Sequence, residues 1–301
     1  MNRKLILVLA LVLIIALSGC AQLNIFPNQE TITVTDDMGR EVNLSTTPAR
    51  IISIAPSNTE FLFALGLSEK IVGVTDFCNY PADAAAKERV GDFANPSVEK
   101  IIGLKPDLVV AASLHQEVVE QLDQLNIPVI VIDAKNIQHI LDSVDMLGMA
   151  TGANEAAETL TKQITDDLEL VDSKVMTLSE DEKPLVYFEV WNDPIMTAGP
   201  NTFIHELITR AGGVNIAADA PTDYPVYALE DLIARQPEVM IYTHGAETAE
   251  QIKDRQNWET IHALKYGRVY LVEEDLVLRP GPRIAKGLIE LSKRLHPDIW
   301  E

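Results

Sequence analysis

VEKIIGLKPDLVV at residues 98–110 and LEDLIARQPEVMI at residues 229–241 are one pattern written twice, 131 residues apart. In each, a glutamate (Glu99, Glu230) precedes an apolar pair, a proline (Pro106, Pro237) follows, then an acid, then an apolar run. Proline lacks an amide hydrogen and biases the residue before it away from helical dihedrals, so it marks a helix-to-strand boundary. Helix–proline–strand units are common. The glutamate matched in register is less so, and it points to two lobes of similar fold.

The flanking sequence repeats the same grammar. Residues 51–54, 71–74, 108–110 and 129–132 are short apolar runs that read as buried strands. Between them, residues 61–65, 98–104 and 117–125 read as helices. Residues 56–60 offer hydroxyl and amide N-cap candidates, and Gly66 stops the first helix. The second half supplies strands at 186–190 and 269–272. There Ala198-Gly199-Pro200-Asn201-Thr202-Phe203 echoes Ala55-Pro56-Ser57-Asn58-Thr59-Glu60 ahead of a helix ending at Gly212-Gly213. Continuous apolar strands alternating with helices predict an α/β fold whose sheets are parallel or mixed and covered on both faces. Ahead of this, residues 31–35 alternate apolar and polar, Asp37-Met38-Gly39-Arg40 supplies a turn, and residues 41–44 return, which reads as a small hairpin.

Between the halves, residues 152–177 contain no proline and one glycine, Gly152. Leu160, Ile164, Leu168, Val171 and Val175 fall on one helical stripe, with Lys162, Asp166, Glu169 and Ser173 opposite. A helix of about 25 residues spans roughly 37 Å, enough to cross from one lobe to the other. The predicted organisation is an N-terminal α/β lobe over 31–150, one long bridging helix over 151–178, a C-terminal α/β lobe over 179–301, and a ligand cleft between the lobes.

The first 30 residues are of another kind. Asn2-Arg3-Lys4 is a short basic start, residues 5–17 are apolar, and Ser18-Gly19-Cys20 closes the run. About 13 apolar residues are too few for a comfortable membrane span of about 20 and read as the core of a signal peptide, residues 1–19. A plain N-terminal anchor helix is the alternative; either places the body outside the cytoplasm. Leu17-Ser18-Gly19-Cys20 resembles the bacterial lipobox, which implies a diacylglyceryl group on Cys20 and a lipidated tether over 20–30.

Composition narrows the function. Of 301 residues, 47% are hydrophobic, enough for one large core or two smaller ones, and the net charge is −21. Phosphate attraction needs a basic face, so nucleic acid is excluded as a partner. Two cysteines, Cys20 and Cys78, make no disulfide framework, and Cys78 reads as an inert, half-buried thiol. His115, His139, His205, His244, His262 and His296 form no metal-binding spacing. His139 and His205 read as surface or packed histidines, and for His115, after the 108–110 strand, an approach to the cleft is the alternative to packing. No nucleophile elbow, dinucleotide loop or phosphate loop is present, so no enzyme constellation and no resident cofactor is read.

Residues 52–73, Asn79-Tyr80-Pro81, Val90-Gly91-Asp92-Phe93, Ser97-Val98-Glu99-Lys100-Ile101 and Leu104-Lys105-Pro106-Asp107-Leu108 resemble the helical-backbone (class III) substrate-binding proteins of ABC importers. The resemblance covers roughly residues 31–298. Asp275-Leu276-Val277-Leu278-Arg279-Pro280-Gly281-Pro282-Arg283 and Asp223-Tyr224-Pro225 bring it nearest to the cobalamin-binding branch. It implies two lobes on one long helix, small closure, and a transported ligand that is cobalamin or a related corrinoid, with a ferric siderophore or haem as the alternative. It also implies a permease dimer with its cytoplasmic ATPase as partner. Glu99 and Glu230 would dock on permease arginines; the plain alternative is stabilisation of a carboxylate by the helix macrodipole.

The ligand site is expected in loops after strand ends, where open α/β sheets bind ligands. Phe77 and Tyr80, Phe93, Trp191, Tyr224 and Tyr227, and Asp275 with Arg279 occupy such loops. By similarity, Phe77, Phe93, Trp191, Tyr224, Asp275 and Arg279 are the expected ligand contacts. An aromatic rim suits a large, flat, partly apolar ligand because each ring offers much contact area at little rotamer entropy. Tyr80 beside Pro81 is expected to be structural, and Arg283 to cap local structure. The haem branch often places a tyrosine where this chain has Asp92, and anionic ferric catecholates call for several basic cleft residues, of which Arg279 and Arg283 are the only candidates.

Overall fold

The structure, a computed structural model, describes residues 31–243 and 248–301. The signal-peptide, lipidation and tether readings, and His244, lie outside the described residues. The N-terminal half runs β1 (Ile32–Thr35), β2 (Glu41–Leu44), β3 (Ile51–Ser53), α1 (Pro56–Ala64), β4 (Ile71–Val74), β5 (Glu88–Arg89), α2 (Val98–Gly103), β6 (Leu108–Ala111), α3 (Gln116–Gln124) and β7 (Val129–Val131). Two helices follow, α4 (Ile137–Thr151) and α5 (Asn154–Val175). The C-terminal half runs β8 (Leu185–Asn192), β9 (Ile195–Thr197), α6 (Phe203–Arg210), β10 (Val214–Asn215), α7 (Leu229–Arg235), β11 (Val239–Tyr242), α8 (Ala249–Lys253), α9 (His262–Lys265), β12 (Val269–Leu271), α10 (Glu274–Val277) and α11 (Ile284–Leu295).

The two sheets share one topology. The first has order β5-β4-β3-β6-β7, all parallel, and the second β10-β8-β11-β12, also parallel. Strand β3 thus corresponds to β8, β4 to β10, β6 to β11 and β7 to β12. The first sheet adds β5 at its edge; the second adds β9, antiparallel to β8. Every residue of β3, β6, β7 and β11 is buried, as are Val186–Glu189 of β8, as a sheet covered on both faces requires.

The duplicated stretch repeats down to single hydrogen bonds. Lys105 and Gln236 each leave their helix in the left-handed region, at φ 49° and 46°, one residue before the proline. The amide of Asp107 then donates to Arg50 O at 2.9 Å, and that of Glu238 to Leu185 O at 2.8 Å. Their carboxylates accept in return, Asp107 from the amides of Ala49 and Arg50, both at 2.8 Å, and Glu238 from the Leu185 amide at 2.9 Å. In both lobes the acid after the proline therefore ties the incoming strand to the start of its neighbour.

Helix α5 is the bridge. It holds 22 residues, about 33 Å by helical rise, and starts three residues later than expected because Gly152, at φ 72°, caps α4 instead. Its stripe is buried at Ala157, Ile164, Leu168 and Val171, while Lys162 and Asp166 pair in solvent at 2.6 Å. It packs on α4 and on α11 and α6 of the C-terminal lobe. One continuous apolar core runs from Ile51 and Phe61 through Leu168 to Phe188 and Leu288. The lobes therefore share packing along the bridge, which resists independent rotation because close-packed interiors deform little.

Three local expectations need correction. Helix α1 begins at Pro56, its first turn uncapped by any side chain, because proline's fixed φ suits that position. Ser57, Asn58 and Thr59 are thus inside the helix. In the echoing segment the helix instead begins at Phe203, where the Thr202 hydroxyl accepts from the His205 amide, so the echo does not hold in register. Strand β8 continues to Asn192, so Trp191 lies on the strand rather than after it. The alternation also gave little sign of α4, whose Asn136 side chain caps it by accepting from the His139 amide.

Candidate functional site

The candidate ligand residues follow the carboxyl ends of parallel strands or, for Trp191, lie near one: Phe77 after β4, Phe93 after β5, Trp191 near the end of β8, Asp275 after β12, and Arg279 beyond α10. Tyr224 follows β10 at a greater distance in sequence. Contacts between the lobes form from these same loop ends. Asn79 Nδ2 donates to Asp275 at 3.4 Å, and Arg279 Nη1 donates to Asn79 Oδ1 at 2.8 Å. The Ile137 amide, opening α4, donates to the Glu206 carboxylate of α6 at 3.0 Å. Burial and the Asp223 charge push the Tyr224 phenol up, and Lys135 of the N-terminal lobe pulls against them. The carboxyl edges of the two sheets thus oppose each other and frame the cleft.

Phe77, Trp191 and Tyr224 are each more than half exposed, at 56%, 54% and 52%. The Trp191 indole donates to the Asp193 carbonyl at 2.9 Å, which fixes the ring's edge on the β8–β9 hairpin. Phe93 is half-buried and meets the His115 ring edge-on, with centroids 5.4 Å apart.

His115 does not enter the cleft as a ligand; it is buried. Its Nδ1 accepts from the Ala112 amide at 3.0 Å, which leaves the proton on Nε2 to donate to Phe93 O at 2.7 Å. The ring is therefore a neutral strut under the Phe93 loop, and burial pushes its pKa below the ordinary 6.5. Protonation would put a second N–H against the Ala112 N–H. Because the folded pKa is depressed, the unfolded chain takes up the proton first. The strut's contribution is then complete above about pH 6.5 and declines as pH falls below it. Thermal unfolding followed from pH 7.5 down to about pH 5 should lose more stability in the native chain than in His115→Asn. Equal slopes would remove His115 from this role.

The centre of the seam is ionic. Glu60, on α1, has 1% of its side chain exposed and accepts from Arg283 Nε at 2.7 Å and Nη2 at 2.8 Å, and from Arg279 Nη1 at 3.2 Å. Arg279 also pairs with Asp275 at 2.9 Å, and Arg283 with Glu273 at 3.2 Å. The Arg283 guanidinium lies over the Tyr80 ring, 3.9 Å from its centroid. Hydrogen bonding to Glu60, opposed by burial, raises the Arg283 pKa further, so the guanidinium keeps its charge. Removing one partner of such a buried pair typically costs about 3–5 kcal/mol. The expectation that Arg283 caps local structure is thus wrong: it reaches across to the other lobe. Glu60 was missed, although it is the lone charge in the otherwise neutral stretch PSNTEFLFA.

The remaining candidates stand elsewhere. Cys78 is buried rather than half-buried, its sulfur accepting from the Thr59 hydroxyl at 3.0 Å and lying 3.2 Å from that of Thr75. His296 is buried and donates to Gly212 O at 3.0 Å. His205 lies 3.2 Å from the Asn215 amide nitrogen. Among the described residues no group of three or more His, Cys, Asp and Glu is placed to hold a metal ion. Glu99 and Glu230 are both exposed, each the second residue of its helix, and neither has an ion pair among the described residues.

The periplasmic binding protein family model matches residues 51–276, from the start of β3 in one lobe into α10 of the other. The chain belongs to the periplasmic binding protein family. It is 37% identical over 276 residues to the "Uncharacterized ABC transporter substrate-binding lipoprotein YvrC" of Bacillus subtilis, covering 90% of this chain and 87% of that one. It is 30% identical over 248 residues to the vitamin B12-binding protein of Salmonella paratyphi A, covering 82% and 90%. The crystal structure of a possible iron-binding (periplasmic solute-binding) protein from Staphylococcus epidermidis matches at a TM-score of 0.73 and 31% identity, over 83% of this chain and all of that one. The chain is thus a non-enzymatic substrate-binding component of an ABC transporter, of an extracytoplasmic family, with two α/β lobes on a bridging helix. Such proteins partner with a permease and its ATPase. Among the described residues no helix is long and apolar enough to cross a membrane.

Proposed function

We propose that this periplasmic binding protein is a lipoprotein anchored through Cys20 that captures cobalamin or a related corrinoid in the interlobe cleft and delivers it to a permease docked on Glu99 and Glu230. The observation that carries the ligand reading is the pairing of open aromatic rings with spent cations. Phe77, Trp191 and Tyr224 leave wide apolar faces in solvent at the cleft edges, a waste of surface unless something covers them. Meanwhile the two cleft arginines face three carboxylates, Glu60, Asp275 and Glu273. A ferric catecholate or a haem with its propionates brings negative charge to a place whose two arginines are already paired with carboxylates. A corrin with neutral amide arms asks only for ring contacts and a few hydrogen bonds. The vitamin B12-binding relative supports this choice; the possible iron-binding neighbour keeps a metal chelate as the second reading.

The test is uptake. Host cells lacking the chain should lose high-affinity uptake of labelled cyanocobalamin and regain it with the native gene, while Cys20→Ser should shift the protein from the membrane to the soluble fraction. Undiminished cobalamin uptake in the deleted strain, with lost uptake of a ferric siderophore, would transfer the function to the second reading.

A further inference from the structure

Glu60 receives three hydrogen bonds, and all three come from the other lobe: two from Arg283 and one from Arg279. Among the described residues it is the only carboxylate that the N-terminal lobe contributes to this cluster, and its side chain is 1% exposed. Arg279 is held on both sides. Its Nη1 is shared between Glu60 and Asn79 of the N-terminal lobe, and its Nη2 is taken by Asp275 of its own. A carboxylate that served only the stability of its lobe would find partners within that lobe. This one has its complete set only at one angle between the lobes, since hydrogen bonds weaken steeply once donor and acceptor part beyond about 3.5 Å. Gly281 lies against Ser57 at the same seam; a Cβ placed on it would stand 3.8 Å from the Ser57 Cα, so the loop that carries both arginines is seated directly on the start of α1.

We infer that Glu60 is a positioning residue: it latches the two lobes at a fixed angle and holds Arg279 and Arg283 in the seam between them. The inference rests on the cleft being the ligand site, but the latch itself can be read without any ligand. Releasing Glu60 removes both bonds that Arg283 makes to the N-terminal lobe's carboxylate and one of Arg279's two bonds across the seam, and lets the lobes sample other angles about α5. Ligand then binds a population that is only partly competent, and apparent affinity falls by that fraction.

The experiment uses the full-length chain in detergent, spin-labelled at two exposed positions, Gln121→Cys in one lobe and Glu259→Cys in the other, and reads the distance distribution between them by electron dipolar spectroscopy. The native residue should give one narrow distribution. Glu60→Gln should broaden it and weaken cyanocobalamin binding roughly tenfold, with little further loss when Arg279→Met is added, since the two act as one unit. Should Glu60→Gln fold poorly, Glu60→Leu with Arg283→Met replaces the buried pair by apolar side chains; it should fold and still broaden the distribution. The exchange Glu60→Arg with Arg283→Glu should narrow it again. An unchanged distribution in folded Glu60→Gln or in the apolar pair overturns the latch. A native chain that binds no cyanocobalamin overturns the ligand reading instead, and leaves the distance measurement to decide the latch.

Discussion

Glu99→Arg combined with Glu230→Arg should abolish transport while leaving the affinity of the isolated protein for its ligand within about twofold. The two glutamates are exposed, stand at the second position of matched helices, and are followed by the same left-handed residue, proline and strand-tying acid in both lobes. Their helix ends explain part of this, since a carboxylate in a first turn gains about 0.3–1 kcal/mol from the macrodipole. Macrodipole stabilisation does not require that the residue be matched across two lobes whose other helix starts differ. Two equivalent tips suit a partner with two equivalent subunits, which a permease dimer has. Reversing both charges sets like charges face to face at both contacts, which costs several kcal/mol in encounter and register and translates to a loss of more than a hundredfold in uptake. A single reversal should leave partial transport that falls further as salt is lowered, because the repulsion is then less screened. Parallel loss of ligand affinity in the double variant would place the glutamates in the binding site or the fold rather than at a docking surface.

The second large effect is expected at the cleft rings. Trp191→Ala with Phe77→Ala should weaken cobalamin binding by more than a hundredfold, because large aromatic anchors are where truncation costs at interfaces concentrate, at about 2 kcal/mol or more each. The melting temperature should move little. Both rings are more than half exposed, and exposed substitutions usually stay within about 0.5 kcal/mol. Affinity lost with stability kept separates a ligand contact from ordinary loop packing, which would show the reverse.

The sequence made the architecture plain where one physical signal governed it. The repeat 98–110 and 229–241 announced two lobes, and the apolar stripe through Leu160, Ile164, Leu168 and Val171 announced the bridge. Both follow from burial alone. The site was less legible because its centre depends on pairing between distant residues. Glu60 and Arg283 are 223 positions apart, and nothing local distinguishes an arginine that caps its own helix from one that crosses a seam. The clue was negative: Glu60 is a lone charge on a buried helix, and a buried carboxylate demands a cation from somewhere. His115 illustrates the converse. Its place after a strand end suggested the cleft, but only the structure reveals that both ring nitrogens are engaged by the backbone of Ala112 and Phe93.

The most direct test of the central claim is calorimetric titration of the purified protein with cyanocobalamin, haem and a ferric catecholate in parallel. The account predicts saturable one-to-one binding of cyanocobalamin and no heat from the two anionic chelates, since Arg279 and Arg283 are already matched by carboxylates. Tight binding of haem or the ferric catecholate with cyanocobalamin silent would contradict it.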